Sequence, residues 1–448
     1  MKRRVKWLFS QLDDWVQRGL LDAGQAARIR QLYPDSGLAL PWSTVLFTGL
    51  GAVVAGLGVI LLLAYNWQAI PRLGKLGLIL AALAGLHATS LWLWPQTGWR
   101  RQVGEAVGLL GTMFFGAGIW LVAQAYHIEE HFPNGFLVWG LGALAMGWTM
   151  PSVAQGLLAA VALAIWGCTE AVQFDTAVHL APLLILAGVA GLAYWLRSLL
   201  LLAAGLVAVS VTLLFNTGVV SWRLLCSVAM NTAVLFVGVS ALAARWDRFP
   251  RGGLVWRGLG WVGFLLVLYL LSFPALAAYL LQWHPTWPEP ETLIQPLLFR
   301  AYAWTPFALA LAAWALVAWQ CRPGTTPDQR PFAGRFEHWL LPLTALGAQV
   351  TAATGAALEE WAAAGPFNLV FLALAATWIG RGCREGALGP TALGSLLLVA
   401  LVVARYFDLF ESLLARGLVF LALGSILFAE GFFYRRAHRR AALPAGSS

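Results

Sequence analysis

With 448 residues, 60% of them hydrophobic, 11% charged and a mean hydropathy of +0.73, the chain has too little polar surface to cover a water-soluble core. This excludes an ordinary soluble enzyme or binding domain and places the protein in lipid. The net charge of +9 (29 basic, 20 acidic) forms no long basic stripe of the kind nucleic acid needs, because the cations fall between apolar runs. Arg outnumbers Lys, which occurs only at Lys2, Lys6 and Lys75, and with the richness in Ala, Leu, Gly and Trp this fits a GC-rich bacterial genome. Cys168, Cys226, Cys321 and Cys383 are far apart, so neither a zinc site nor a disulfide framework is encoded and the four read as packing residues.

Residues 1–40 read as a small cytoplasmic helical hairpin. Trp7, Leu8, Leu12, Trp15 and Val16 recur at helical spacing, Gly19 stops the first helix, and Asp22 can cap a second running from about Ala23 to Tyr33, ended by Pro34 and Gly37. The apolar WLF after MKRRVK is broken by Gln11, Asp13 and Asp14, so no cleavable signal peptide is expected. The hairpin is too small to fold robustly alone and is expected to dock on the membrane domain or a partner. Its acidic Asp13, Asp14 and Asp22 argue against DNA binding.

From Val45 to Ala64 runs an apolar stretch of about 20 residues, enough to span the hydrocarbon core of a bilayer. It breaks into AYNWQAIPRLGK, which places an Asn, aromatics, a Pro and two cations where a chain turns at the membrane surface. Fourteen apolar segments follow this theme, near 45–65, 75–94, 103–126, 134–150, 153–170, 180–196, 199–215, 224–244, 258–281, 300–319, 338–357, 366–380, 387–404 and 415–434. The expected fold is therefore all-α, a polytopic transmembrane helix bundle of about fourteen spans, with twelve or sixteen as the alternatives. The membrane domain runs over 41–436 and a basic, flexible cytoplasmic tail over 437–448.

Charge orients this bundle. With the N-terminus inside, the even-numbered loops hold twelve Arg, from Arg100 to Arg384, while the odd-numbered loops hold six cations and ten of the carboxylates. Both termini come out cytoplasmic. Within the membrane domain, Gly51, Gly56 and Gly58 of the first segment echo Gly111, Gly116 and Gly118 of the third at a constant offset of 60 residues. Small residues at such spacings let helix backbones approach closely in lipid. A parallel two-helix repeat and a chance match between Gly-rich helices both fit.

Four places could carry chemistry. His127-Ile-Glu-Glu-His131 puts two His at i and i+4, which on one helix face could hold a metal with Glu129 or Glu130, although a solvated loop before Pro133 explains the tract as well. Asn66, Trp67, Arg72 and Lys75 form a polar, cationic turn on the outer face that could bind an anionic headgroup, or serve only as interfacial anchors. Arg405, Asp408 and Glu411 could pair along a helix surface. Inside the spans, His87, Gln124, Asn231, Gln349 and Glu430 are the sparse polar residues, and a midplane cavity lined by His87, Gln124 or Asn231 would point to transport. No phosphate-cradling loop, nucleophile elbow or glycosidase-like carboxylate pair is present in the sequence, and no cofactor is implied.

The segments WVQRGLLDAGQAARIRQLY, AYNWQAIPRLGKL, GIWLVAQAYHI and ARYFDLFESLLARGLVFLALG resemble a family of bacterial predicted integral membrane proteins filed under a domain of unknown function. The resemblance implies an N-terminal helical hairpin followed by many inner-membrane spans. It also implies a possible partner, a small membrane-anchored protein with a GDYxxLxY motif, and brings no activity or catalytic residues. Three functions are thus expected in order: transport or handling of a lipid or small molecule, a scaffold or assembly factor of an envelope complex, and a membrane-embedded enzyme acting at the outer face. Membrane lipids are the expected surroundings and nucleic acid is not a partner.

Overall fold

The structure, a computed structural model, describes residues 8, 11–12, 14–32, 70–127, 131–243, 249, 251–281, 294–320, 335–354, 359–408 and single positions from 421 to 429. Among these residues all regular structure is helical and there is no strand. The expected first span and most of the last, and with them Asn66, Trp67, Glu129, Glu130, Glu411 and Glu430, lie outside the described residues.

Contacts divide the chain into two compact units, Met1–Gly77 and Leu78–Ser448. In the first, the helix ending at Gln17 turns through Arg18 and Gly19, whose φ of 69° is a left-handed value that costs glycine little. The second helix, α1 (Ala23–Leu32), starts on Asp22. The carbonyl of Asp22 accepts from the N–H groups of Gln25 and Ala26, and its own N–H donates to Gln25 Oε1 at 3.1 Å, one half of a capping box. Leu12 and Ala26 are buried.

The remaining helices are α2 (Arg72–Leu93), α3 (Trp99–Tyr126), α4 (Pro133–Thr149), α5 (Val153–Gln173), α6 (Leu180–Ile185), α7 (Gly191–Leu196), α8 (Leu199–Val220), α9 (Leu225–Ala243), α10 (Gly252–Leu271), α11 (Pro274–Leu280), α12 (Ile294–Gln320), α13 (Phe336–Thr354), α14 (Glu360–Glu385) and α15 (Leu388–Asp408). Each apolar segment expected between residues 75 and 404 is helical over its described residues, apart from one break. A five-residue π-helical step, Leu186–Ala190, joins α6 to α7, so the expected segment at 180–196 is one apolar run with a widened turn. The segment expected at 258–281 is broken at Ser272 and Phe273, and Pro274 opens α11 as a separate short helix.

Eight helices among the described residues are long and apolar enough to cross a membrane, and Leu180–Leu196 and Leu388–Ala404 are shorter apolar ones. Their outer faces are inverted relative to a soluble protein. Leu297 (64% exposed), Leu369 (70%) and Val262 (66%) point outward, as side chains that meet lipid do.

Two buried apolar clusters organise the second unit. One, around Leu163, Ile185 and Leu206, joins α4 to α8. The other, around Met230, Phe264 and Phe371, joins α9 to α15. Small residues set the spacing in both, since a Cβ on Gly140 would lie 2.7 Å from the Leu163 side chain and one on Gly260 2.7 Å from Ala233 O. Polar cross-links are few and buried. Ser227 Oγ and Asn231 Nδ2 on α9 donate to Gln349 Oε1 on α13 at 3.0 and 3.1 Å, and Gln349 Nε2 donates to Ala303 O on α12 at 2.9 Å. Pro306 interrupts the α12 ladder one turn away.

Side chains near the helix ends pair across the second unit. His131 pairs with Glu170 near the end of α5, and His179 hydrogen-bonds Tyr302 Oη of α12 at 2.8 Å, joining positions expected on one side. Ser152 Oγ donates to Glu105 Oε1 of α3 at 2.6 Å, and Arg381 of α14 pairs with Glu337 of α13, joining positions expected on the other.

Candidate functional site

The residues from Leu78 to Leu93 of α2 lie antiparallel on α3 along a row of glycines. Gly104 faces Leu93, Gly108 faces Ser90, Gly111 faces His87 and Gly118 faces Ile79. A Cβ on Gly111 would lie 2.8 Å from His87 Cε1, so only glycine admits the imidazole here. His87 Nδ1 is 3.0 Å from Leu83 O; a carbonyl only accepts, so this nitrogen carries the proton. Ser90 Oγ donates to Gly104 O at 2.7 Å and ties the lower ends together.

A different face of α3 meets α4. The Trp139 indole lies over Gly116 and its Nε1 donates to Thr112 O at 2.9 Å. Thr112 Oγ1 in turn donates to Gly108 O and accepts from Gln155 Nε2 of α5, so a chain of hydrogen bonds fixes the base of the three helices.

Alongside these contacts an apolar groove is lined by α2, α3 and α4. A cavity of about 600 Å³ is lined by Leu80, Leu83, Phe115, Ile119, Trp120 and Val138, with His131 and Asn134 at its polar end. An adjoining cavity of about 520 Å³ shares Leu80, Leu83 and Phe115 and reaches His87 and Thr112. The groove thus runs from a polar mouth to a mostly apolar depth that ends on one imidazole.

The lining residues His131, Phe132 and Trp120 are held from behind by residues outside the lining. His131 Nε2 lies 2.8 Å from Glu170 Oε2 at the end of α5; the imidazole is 37% exposed and the carboxylate 7%. Phe174 packs against the imidazole at 4.0 Å and against Phe132 at 5.8 Å. Trp120 packs against Phe136 at 4.8 Å and Trp139 at 5.9 Å. Glu170 accepts from His131 Nε2–H, which holds the ring in one orientation.

These placements sort the residues singled out by sequence. His131 and His87 line the groove at its two ends. His127 does not share a helix face with His131: it ends α3 in the left-handed conformation at φ 54°, its N–H bonded to Ala123 O, and α4 begins only at Pro133. Among the described residues, which do not include Glu130, no three His, Cys, Asp or Glu groups cluster to hold a metal. Gln124 is exposed on α3, and Asn231 belongs to the α9–α12–α13 cross-link, so neither joins His87 in a midplane cavity. Arg72 and Lys75 open α2, Arg72 exposed and Lys75 half-buried. Arg405 and Asp408 lie in the last turns of α15, and their side chains are outside the described residues. Glu170 and Phe174 went unnoticed as site residues in the sequence reading.

Residues 13–156 match the family described as Predicted membrane protein (DUF2157). The DUF2157 segment holds all but the start of the N-terminal hairpin, all of α2, α3 and α4 and the start of α5, so the groove lining lies inside it while Glu170 and Phe174 lie beyond. The family's description names no activity. No curated protein and no solved structure matches the chain.

Proposed function

We propose that this chain is a multi-pass protein of the bacterial inner membrane, both termini cytoplasmic, that takes up a lipid or lipid-like amphiphile from the outer leaflet in the α2–α4 groove. The observation that carries the reading is the groove itself, apolar along Leu80, Leu83 and Phe115 and polar at one end, where His131 and Asn134 stand. An apolar cleft with a few convergent polar groups is how small amphiphiles are bound. The excess of Arg in the even-numbered loops supports the orientation that turns the His131 end outward.

Leu83→Trp fills the groove without adding charge. Protein carrying it, reconstituted beside the unsubstituted chain, should lose photo-crosslinking to a diazirine-bearing hexadecyl chain on α2–α4. Unchanged labelling there would sink the proposal. A scaffold role is the second reading, favoured by the separate compact unit Met1–Gly77. It predicts stoichiometric recovery of a protein partner, a small membrane-anchored protein with a GDYxxLxY motif being the first to look for, from mildly solubilised membranes.

A further inference from the structure

We infer that the occupant of the groove carries a second polar group, a hydroxyl, about half a bilayer below its head, an inference that rests on the amphiphile-handling reading. The observation behind it is His87. Its Nδ1–H is spent on Leu83 O at 3.0 Å, which leaves Nε2 as a bare acceptor. Among the described residues no group donates to that nitrogen. The imidazole lines the cavity that adjoins the larger one, between the apolar side chains of Leu80, Leu83, Ala84, Phe115 and Met146. Thr112 is the other polar side chain in that lining, and its hydroxyl is already engaged, donating to Gly108 O and accepting from Gln155 Nε2. The deep end of the groove thus presents one open nitrogen lone pair and no open side-chain donor.

Packing alone gives no reason for an imidazole here, where a leucine would fill the same space and Gly111 must stay a glycine to admit the ring. An unpaired acceptor in hydrocarbon costs free energy, and an ionisable side chain inside a span marks a site by default. Depth sets where the partner must be. His87 faces Gly111, near the middle of α3. From Thr112, which lines the cavity at His87, to Ala123, which lines the cavity that reaches His131, α3 rises about 16 Å. That is close to half of the ~30 Å hydrocarbon core. A plain alkyl chain would lay methylenes against Nε2 and leave it unpaired. A hydroxyl at that depth would donate to it, and a charged donor would find no acidic side chain in the lining to balance it.

Two isomeric diols test this, octadecane-1,2-diol with both hydroxyls at the head and octadecane-1,12-diol with one along the chain. Each competes with a diazirine-bearing hexadecanol for labelling of α2–α4 on the full chain in maltoside micelles. The 1,12-diol should halve the labelling at a mole fraction in the micelle about fivefold lower than the 1,2-diol needs, the gain of one added hydrogen bond. In His87→Leu the acceptor is gone and that advantage should vanish. The comparison on the unsubstituted chain decides the matter even where the variant fails to fold. Equal displacement by the two diols, or a 1,12-diol advantage that survives in folded His87→Leu, overturns the inference and leaves the groove reading standing. No labelling of α2–α4 by the hexadecanol probe overturns both.

Discussion

Gly116 shows how a single residue sets the geometry of the site. Any Cβ there would overlap the Trp139 indole, so Gly116→Ala must push the ring away and weaken its bond to Thr112 O. The expected cost is about 1–3 kcal/mol, read as a lower melting temperature of the purified protein. Gly85, with no heavy atom within 4 Å of its Cβ position, is the control: Gly85→Ala should be neutral or slightly stabilising, since alanine favours helix. His131 and Glu170 make a second residue-scale test. His131→Ala leaves a nearly buried carboxylate without its partner and should destabilise by about 1–3 kcal/mol, and adding Glu170→Gln should recover part of that loss. Additive losses in the double variant would show that the pair is not coupled.

At the scale of elements, helices in lipid gain little from the hydrophobic effect and depend on close packing and a few hydrogen bonds. Gln349 joins α9, α12 and α13 through its amide, so Gln349→Leu removes three bonds at once and leaves Asn231 Nδ2 only its 3.3 Å bond to Ser227 Oγ. A loss of about 1–2 kcal/mol by thermal or denaturant unfolding is expected, and no change would mean that apolar contacts alone hold the three helices. The helices themselves were legible because apolar length is written locally: each segment expected between residues 75 and 404 is helical over its described residues, apart from one break. The break at Ser272 and Phe273 was not seen, because Pro274 sits in an otherwise continuous apolar run. The role of Gly111 was half legible. Its spacing with Gly116 and Gly118 marked a packing helix, but the sequence could not say that Gly111 and Gly118 face α2 while Gly116 faces α4. The partner of His131 was missed for a related reason. Local spacing pointed to His127, four residues away, whereas Glu170 is 39 residues away. One signal was available: Glu170 ends an apolar segment in a stretch without Lys or Arg, so histidine was the only basic side chain at hand.

For the whole molecule, the account requires alternate loops to face opposite sides and the groove mouth to face outward. In a background with Cys168, Cys226, Cys321 and Cys383 replaced, a membrane-impermeant maleimide should label Thr176→Cys in intact cells and Thr97→Cys only after the membrane is opened. The reverse pattern would turn the mouth to the cytoplasm and overturn the outer-leaflet reading. Beyond orientation lies the question of what fills a groove that opens between α2, α3 and α4 and ends at His87. The most direct measurement is mass spectrometry of what co-purifies with the full chain taken gently from its native membrane, together with density for it in the groove. A defined amphiphile whose chain lies along Leu80, Leu83 and Phe115 and whose head reaches His131 is the predicted result. A groove closed by protein, with no amphiphile recovered in stoichiometric amount, would contradict the account.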